Sequence, residues 1–424
     1  MSVVSADQVS LGVLVSTVSR DVIDAAVAAC GVGGRRAGGK LPAHVTAYLT
    51  MGLCLFAEDD YEEVATKVTG SLDRWGCWDA SWSPPTSSAV TQARQRLGRK
   101  VMAEVFEGVA EPVGTMFTRG AMVRDWRVLA IDGFEVDLPD SDANAAEFGY
   151  AGSGPNRSAF PKARVVALSE CGTHAFLAAE VAGYKTGEKT LAKRLYPRLR
   201  SDELLTADRG FYSYEAWGLA AACGAALVWR APAQLELPLV RVLADGTYAA
   251  VLVNPKLGAA RRARVIVAAE AGHDLDPDEG HVVRVIEYHV PERVGNGTGE
   301  LITLITTIVE PADAKADELA DVYHWRWEHE TGNDQLKTHL RGPGKVLRSR
   351  LPDLVYQEIW AWLTVHYAIA VLIAKAAEAA DIDPDRISFT RALRIVRRTA
   401  TGTADIPPSR LGRRTTQNPR RDRS

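Results

Sequence analysis

The chain has 424 residues, of which 46% are hydrophobic and 24% are charged, and its formal net charge is −3. This apolar content is ample for two or three domains with buried cores. The five cysteines show no close pairing, which argues against a zinc ribbon or a disulfide framework and favours a reducing cytoplasm.

The first long apolar stretch is LPAHVTAYLTMGLCLFA at residues 41–57. It has 17 residues, includes His44 and runs into three acids at 58–60, so it predicts a buried helix and not a membrane span. The chain opens without a basic segment followed by an apolar run, so we expect no export signal and no membrane association.

Helical patterns fill the N-terminal part of the chain. Residues 9–30 and 41–70 each predict a helix, and a third helical segment covers residues 87–110. Together they predict an all-α domain at residues 1–118.

Several basic residues lie near the start of the third helical segment, after a serine that can cap it. They are Arg94, Arg96 and Lys100. A basic helix of this kind is expected to dock against DNA, which makes the domain a DNA-binding one; the alternative is an ordinary solvated helix face.

Strands come next, followed by strands and helices in alternation. The predicted elements of this part are strands at 128–132, 163–168 and 175–181, a helix at 190–200, a strand ending at Asp208, a helix at 214–223 and a strand at 225–229. This order predicts an α/β RNase H-like catalytic core built from residues 119–232 and 301–375. Asp132 and Asp208 are both expected to end strands, where their side chains can project over the edge of the sheet.

Residues 233–300 read as short β segments separated by turns. The segments are LPLVRVLADGTYAAVLV, ARRARVIVAAE and HVVRVIEYHV, with Asp-Gly, proline and Gly-Asn-Gly turns between them. We interpret this part as a β-rich insertion into the core, after which LITLITTIVE at 301–310 returns to the sheet.

The C-terminal part, residues 376–424, predicts a helix and a basic tail. Residues 386–424 contain eleven arginines and two aspartates, a local charge of +9 that leaves −12 on the rest of the chain. The tail arginines Arg413, Arg414, Arg420 and Arg421 are expected to contact DNA phosphates. The alternative is a tail that only increases solubility.

A polar stripe is the most specific feature of the sequence. A helix predicted over residues 314–340 contains Tyr323, Arg326, Glu330 and Lys337. At about 100° per residue, their spacing places all four within an arc of about 60°. Such a helix would bring a carboxylate, a guanidinium, an ammonium and a phenol into one space, over the same edge of the sheet as the two aspartates.

These residues resemble the signature of the insertion sequence 4 family of DDE transposases, in its Tyr-Arg-Glu-Lys subgroup. Every spacing of that signature matches, and ADRGF at 207–211 matches the family's second motif. The first motif is often Asp-Gly-Thr and here is Asp-Gly-Phe, which leaves Asp132 in place. The resemblance extends over about residues 10–370.

The resemblance implies that Asp132, Asp208 and Glu330 are the catalytic carboxylates and hold two Mg²⁺ ions, for which Mn²⁺ can substitute. Three carboxylates suit this task, because hard divalent ions prefer oxygen ligands and two such ions can act together on one phosphate. In this interpretation Tyr323, Arg326 and Lys337 contact DNA phosphates beside the scissile bond. Each acid taken alone could instead be a turn residue or part of a helical ion pair.

The implied function is that of a transposase. It would cleave double-stranded DNA at the terminal inverted repeats of its element, often through a hairpin intermediate, and join the 3′ ends to target DNA. It is expected to act as a homodimer on DNA, in the cytoplasm and associated with the nucleoid. The alternatives are a metal-dependent nuclease without strand transfer and a domesticated DNA-binding protein that keeps the fold.

Overall fold

The computed structural model describes residues 12–32, 41–69, 84–290, 300–342 and 346–401 of the chain. The α-helices in these ranges are α1 (Arg20–Ala29), α2 (Ala43–Leu55), α3 (Tyr61–Thr69), α4 (Ser87–Leu97), α5 (Val101–Val109), α6 (Asp142–Phe148), α7 (Glu188–Leu195), α8 (Tyr214–Ala221), α9 (Ala259–Glu270), α10 (Ala316–His324), α11 (Trp327–Asp334), α12 (Pro352–Ala380) and α13 (Phe389–Ala400). A π-helix follows α11 directly, at Gln335–Leu340. Short 3₁₀ helices lie at Gly12–Ser16, Gly154–Asn156, Tyr196–Arg198 and Pro384–Arg386.

The strands form one sheet. They are β1 (Met122–Val123), β2 (Trp126–Asp137), β3 (Lys162–Glu170), β4 (Phe176–Gly183), β5 (Glu203–Ala207), β6 (Ala226–Arg230), β7 (Leu239–Val242), β8 (Tyr248–Val253), β9 (Gly280–Val290) and β10 (Glu300–Thr306). Their order is β4-β3-β2-β5-β6-β10-β9-β8-β7, with β1 paired to β2. The pairs β2–β5 and β5–β6 are parallel, and the others are antiparallel. An antiparallel meander that continues into two parallel strands fits the predicted RNase H-like core.

The segment predicted as a β-rich insertion extends the core sheet. β10 pairs with β6, and β9, β8 and β7 follow outwards from it, so LITLITTIVE does return to the core as expected. The β assignment of ARRARVIVAAE is wrong, because these residues belong to α9. The apolar run of this segment resembles a strand, but its alanines and arginines favour a helix. Val265 and Ala269, four residues apart, form the buried side of that helix.

Helices from both ends of the chain share one hydrophobic core. Apolar side chains of α1, α2 and α5 pack with those of α12 and α13, and the core continues to the face of β2, β3 and β4. The elements described before residue 110 are all helical, but they do not build a core by themselves. The division of the chain at residue 118 stays a prediction.

Two apolar helices lie inside this core. Almost every residue of α2 is buried, which confirms the helix predicted from the apolar stretch at 41–57. α12 is long and apolar enough to cross a membrane, but 83% of its most apolar 18-residue window is buried inside the protein. We therefore interpret α12 as the central helix of the shared core.

Candidate active site

Asp132 and Asp208 lie on neighbouring strands at the same level of the sheet. β2 and β5 run parallel, and Ile131 and Ala207 are their last paired residues. The next residue on each strand is an aspartate, so both carboxyls begin from backbones whose spacing in a sheet is about 4.8 Å. The prediction that both aspartates end strands holds for Asp208 only. Asp132 is internal to β2, because β3 continues to pair with β2 as far as Asp137.

Asp132 lies in a partly buried environment with charged neighbours of both signs. Its carboxyl is partly buried and accepts a hydrogen bond of 2.8 Å from the Gly133 amide. Burial raises the pKa of Asp132, and the Asp208 carboxylate raises it further, whereas the Gly133 amide, Arg326 and Lys337 oppose this rise. Asp208, Arg326 and Lys337 therefore all lie close enough to Asp132 to change its pKa.

The helix predicted over residues 314–340 is interrupted. α10 ends at His324, α11 begins at Trp327, and the turn between them is closed by i→i+3 hydrogen bonds, including Arg326 N–H to the Tyr323 carbonyl at 3.2 Å. The π-helix then replaces regular α-helix up to Leu340. The four signature residues consequently do not form one regular stripe, because the turn and the π-helix both change the rotation per residue.

The signature residues nevertheless surround the acids. Tyr323 is buried, and its hydroxyl donates to Asp208 Oδ1 at 3.3 Å. Burial raises the pKa of Tyr323 to about 12, so the phenol stays protonated and remains a donor. Arg326 is 8% exposed, and its Nη1 lies 3.6 Å from Oε1 of Glu330.

Glu330 is the exposed member of the three acids, with 43% of its side chain accessible. Partial burial raises the pKa of its carboxyl; Arg326 opposes this, and Asp132 and Asp208 add to it. The Glu330 carboxylate is thus repelled by both aspartates and attracted by Arg326.

Lys337 lies in the π-helix, with its ammonium 5.6 Å from the centre of the Phe134 ring. Gln335, the first residue of the π-helix, anchors it to two histidines. The Gln335 amide nitrogen lies 3.0 Å from His174 Nδ1, and its oxygen lies 3.1 Å from His366 Nε2. This bridge between the β3–β4 turn and α12 fixes the helical segment that carries Lys337.

Sequence reasoning missed two charged residues at this site. Glu188, the first residue of α7, packs so closely on Gly133 that a Cβ there would come 3.0 Å from its carboxyl carbon. Arg230, the last residue of β6, binds Glu300 and acts electrostatically on Tyr323. Only the position of Arg230 at a strand end beside β5 could have indicated it, and nothing in the sequence marks Glu188.

Comparison with known proteins assigns the family. Residues 124–367 match the model of the transposase DDE domain, more than half of the chain, and residues 8–107 match that of the insertion element 4 transposase N-terminal region. The chain belongs to the insertion sequence 4 family of DDE transposases. The resemblance drawn from the signature residues is thereby confirmed, and the transposase is an enzyme with DNA cleavage and transfer activity.

Two relatives and one solved structure are similar to this chain. The transposase is 26% identical over 381 residues to the transposase InsG for insertion sequence element IS4 from Escherichia coli strain K12, covering 88% of this chain and 79% of the relative. It is 31% identical over 155 residues to the putative transposase InsZ of the same organism, covering 36% and 51%. Among solved structures, a piggyBac transposase synaptic complex with hairpin DNA covers 92% of this chain and 79% of its own, with 10% identity and a TM-score of 0.47.

The structure separates the predicted DNA contacts of the transposase. Arg96 and Lys100 are exposed on or just after α4. Arg94 is fully buried, and its guanidinium donates to Gln357, Tyr61, Ser349 and the Leu354 carbonyl, so the prediction that it contacts DNA is wrong. The tail arginines at positions 413, 414, 420 and 421 lie outside the described residues.

The carboxylates of the transposase suit a divalent metal by donor type. Oxygen ligands are those that Mg²⁺ prefers. Asp208 raises the pKa of Asp132, and both aspartates raise the pKa of Glu330, so a bound cation would relieve this repulsion. Within the described ranges, no three histidine, cysteine, aspartate or glutamate side chains are already grouped as a metal-binding set. Glu330 is the most accessible of the three carboxylates, and Arg326 lies 3.6 Å from it.

Proposed function

We propose that this transposase cleaves DNA at the terminal inverted repeats of its own element and joins the freed 3′ ends to target DNA. The observation that carries the proposal is the meeting of three distant segments: Asp132 and Asp208 on adjacent parallel strands, and Glu330 on the helix above them. Three carboxylates suit this reaction, because the scissile group is already anionic and divalent cations held by oxygen ligands help it to accept a nucleophile.

Asp132, Asp208 and Glu330 would hold Mg²⁺ ions, two in our proposal, with Mn²⁺ as a substitute. When bound, these ions supply activation of the attacking oxygen and stabilisation of the leaving oxygen. The remaining roles belong to the chain. Tyr323 holds Asp208 in place through its hydroxyl, and Gly133 orients Asp132 through its amide.

Arg326 and Lys337 are the proposed phosphate-binding cations. Both act electrostatically on Asp132, so each has a charged group within reach of the site. Arg326 offers a planar fork of donors, and Lys337 offers a compact point charge. We propose that Arg326 exchanges Glu330 for a DNA phosphate when substrate binds.

We further propose that the protein works as a homodimer on DNA, in the cytoplasm and in association with the nucleoid. The exposed Arg96 and Lys100 and the tail arginines support duplex binding outside the catalytic centre, through phosphate contacts that do not depend on base sequence.

The test compares the wild type with Asp132→Asn, Asp208→Asn and Glu330→Gln on a duplex that carries the terminal repeats, with and without Mg²⁺ or Mn²⁺. Cleavage and strand-transfer products are measured beside a gel-shift titration. We expect each variant to bind the duplex nearly as well as the wild type and to cleave below detection. Asp142→Asn is the control, because it makes the same chemical change at an exposed position outside the site.

Each contrary result has a definite meaning. A site variant that cleaves at the wild-type rate would remove that residue from the catalytic set. Wild-type protein that cleaves but never joins ends would be a nuclease without strand transfer. Wild-type protein that binds DNA but does not cleave with either ion would be a DNA-binding protein that keeps the fold.

A further inference from the structure

His329 is a fully buried histidine next to the exposed acid of the site. It directly precedes Glu330 in α11, and its exposed fraction is 0%, whereas 43% of the Glu330 side chain is accessible. A side chain without access to solvent cannot touch DNA or a metal ion in this arrangement. Any effect of His329 on the reaction must therefore pass through the position of α11.

His329 attaches α11 to the sheet. Its Nδ1 lies 2.6 Å from the Oγ of Ser169, which is itself fully buried in β3. Its ring also meets the ring of Phe176, the first residue of β4, edge to face with the centroids 5.6 Å apart. α11 is thus held by a hydrogen bond and an aromatic contact on two neighbouring strands.

Ser169 and Asp132 lie on the same face of the sheet. Ser169 pairs with Ala130 across β2 and β3, and the side chains of directly paired residues share a face. Asp132 comes two residues after Ala130, so its side chain returns to that face about 6.7 Å further along the strand. The anchor of α11 and the first carboxylate are therefore built on the same pair of strands.

α11 needs an anchor of its own because it does not continue α10. The turn at Arg326 separates the two helices, so the orientation of α10 does not fix that of α11. A rotation of α11 by about 20° would move a side-chain end, about 5 to 6 Å from the helix axis, by about 2 Å. Ligand distances at a metal site must be correct to within about 0.2 Å. The placement of the Glu330 carboxylate therefore depends on a contact that prevents such a rotation.

We propose that His329 is a positioning residue, which sets the orientation of Glu330 towards the metal site through its hydrogen bond with Ser169. The proposal rests on the proposed function, because it takes Glu330 to be a metal ligand. Residues that orient metal ligands from behind change metal affinity or activity by about 10- to 100-fold when they are replaced. Loss of the Ser169–His329 hydrogen bond should thus weaken metal binding and leave DNA binding unchanged, since neither side chain reaches the surface.

The test breaks this hydrogen bond from either side in the full-length protein. Ser169→Ala removes the hydroxyl on the sheet, His329→Leu removes the imidazole, and His329→Asn keeps a hydrogen-bonding group where Nδ1 lies. Thr50→Val is the control, because it removes a buried hydroxyl hydrogen bond in α2, outside the site. Mn²⁺ binding to the free protein is measured by electron paramagnetic resonance. Cleavage of the terminal-repeat duplex is measured over a Mg²⁺ series, beside a gel-shift titration.

The variants should separate by metal affinity. We expect Ser169→Ala and His329→Leu to bind Mn²⁺ at least about tenfold more weakly than the wild type. Both should need correspondingly more Mg²⁺ for half-maximal cleavage, with unchanged duplex affinity. His329→Asn should recover at least half of the loss on a logarithmic scale, and Thr50→Val should bind Mn²⁺ like the wild type. The combined Ser169→Ala and His329→Leu variant should bind no more weakly than the weaker single variant, because both changes remove the same contact.

Thermal unfolding distinguishes positioning from a general loss of stability. If Ser169→Ala is folded and binds Mn²⁺ like the wild type, the proposal is overturned while the catalytic assignment stands, whether or not the unfolding temperature falls. If His329→Asn binds Mn²⁺ as weakly as His329→Leu, the hydrogen bond is not the cause and the proposal is again overturned. Should His329→Leu fail to fold, Ser169→Ala and His329→Asn provide the same test. Wild-type protein that neither binds Mn²⁺ nor cleaves DNA would overturn the proposed function itself.

Discussion

Replacement of Arg94 by methionine should destabilise the fold without changing the DNA affinity of the folded protein. The guanidinium of Arg94 is fully buried and donates to Gln357 Oε1 at 3.2 Å, the Tyr61 hydroxyl at 3.0 Å and the Leu354 carbonyl at 2.9 Å. It also contacts the Ser349 hydroxyl, which in turn donates to the buried Glu358 carboxylate at 2.7 Å. Arg94 thus joins α4 to α12 through the buried groups of Gln357, Ser349 and Leu354.

The magnitude follows from what the substitution leaves behind. Methionine fills much of the space but supplies no donor, so several buried acceptors lose their partner and the Glu358 carboxylate loses a nearby positive charge. Removal of one member of a buried charged network costs about 3 to 5 kcal/mol. This is a large part of the roughly 5 to 15 kcal/mol that stabilises a typical fold.

The measurement is urea unfolding followed by far-UV circular dichroism, with Arg96→Gln as the control. Arg96 lies on the same helix but is exposed, so its loss should change stability by less than about 0.5 kcal/mol. Duplex affinity, measured at a temperature where both variants are folded, should fall for Arg96→Gln only. An Arg94→Met protein that is as stable as the wild type but weaker in DNA binding would contradict the buried placement of this side chain.

Further predictions concern Gly332 in α11, His366 in α12 and Lys337 in the π-helix. Gly332→Ala should stabilise the protein by about 1 kcal/mol in urea unfolding, because a Cβ there would meet His174 and Phe176 at ordinary contact distances of 3.5 to 3.6 Å; a loss of stability would mean that the helix packs more tightly than described. Burial lowers the pKa of His366 to about 3. Below pH 6.5 this imidazole is therefore protonated in the unfolded chain but stays neutral in the folded protein. The stability contributed by this residue should then fall as the pH drops from 6.5 to about 3, by up to about 1.4 kcal/mol for each pH unit. From pH 6.5 to 5.5 the free energy of unfolding of the wild type should fall by about 1 kcal/mol more than that of His366→Gln; an equal change in both would refute the prediction. Lys337→Ala should weaken binding of precleaved DNA ends by about 1.5 to 3 kcal/mol while Mg²⁺ affinity of the free protein stays the same, and the opposite pattern would make Lys337 part of the metal site.

The sequence predicted the parts of the fold that depend on local pattern and strand order. The strands around Asp132 and Asp208 follow from their apolar runs, and their meeting follows from a parallel pairing that such alternation favours. The buried α2 was predictable because its apolar run has only 17 residues and ends on three acids, which favours a buried helix over a membrane span.

Tertiary context determined what the sequence could not indicate. Arg94 is of the residue type expected to contact DNA. It is instead a core residue, because it bonds to residues of α12 that lie more than 250 positions later in the chain. The run around Val265 has β-branched residues but folds as a helix, since its alanines and arginines favour that state. The turn at Arg326 and the π-helix after Asp334 leave no mark in an apolar pattern of helical period, so the angular position of Lys337 was not predictable.

The core shared by both ends of the chain has a consequence for synthesis. α2 is complete about 300 residues before α12 is begun, and α12 is the helix on which α2 packs most extensively. At about 5 to 20 residues per second, the ribosome needs roughly 15 to 60 s to make the missing partner. During that interval the nascent N-terminal helices have no completed core to join. The active site, whose π-helix rests on α12 and α13, therefore forms only after nearly the whole chain has been made.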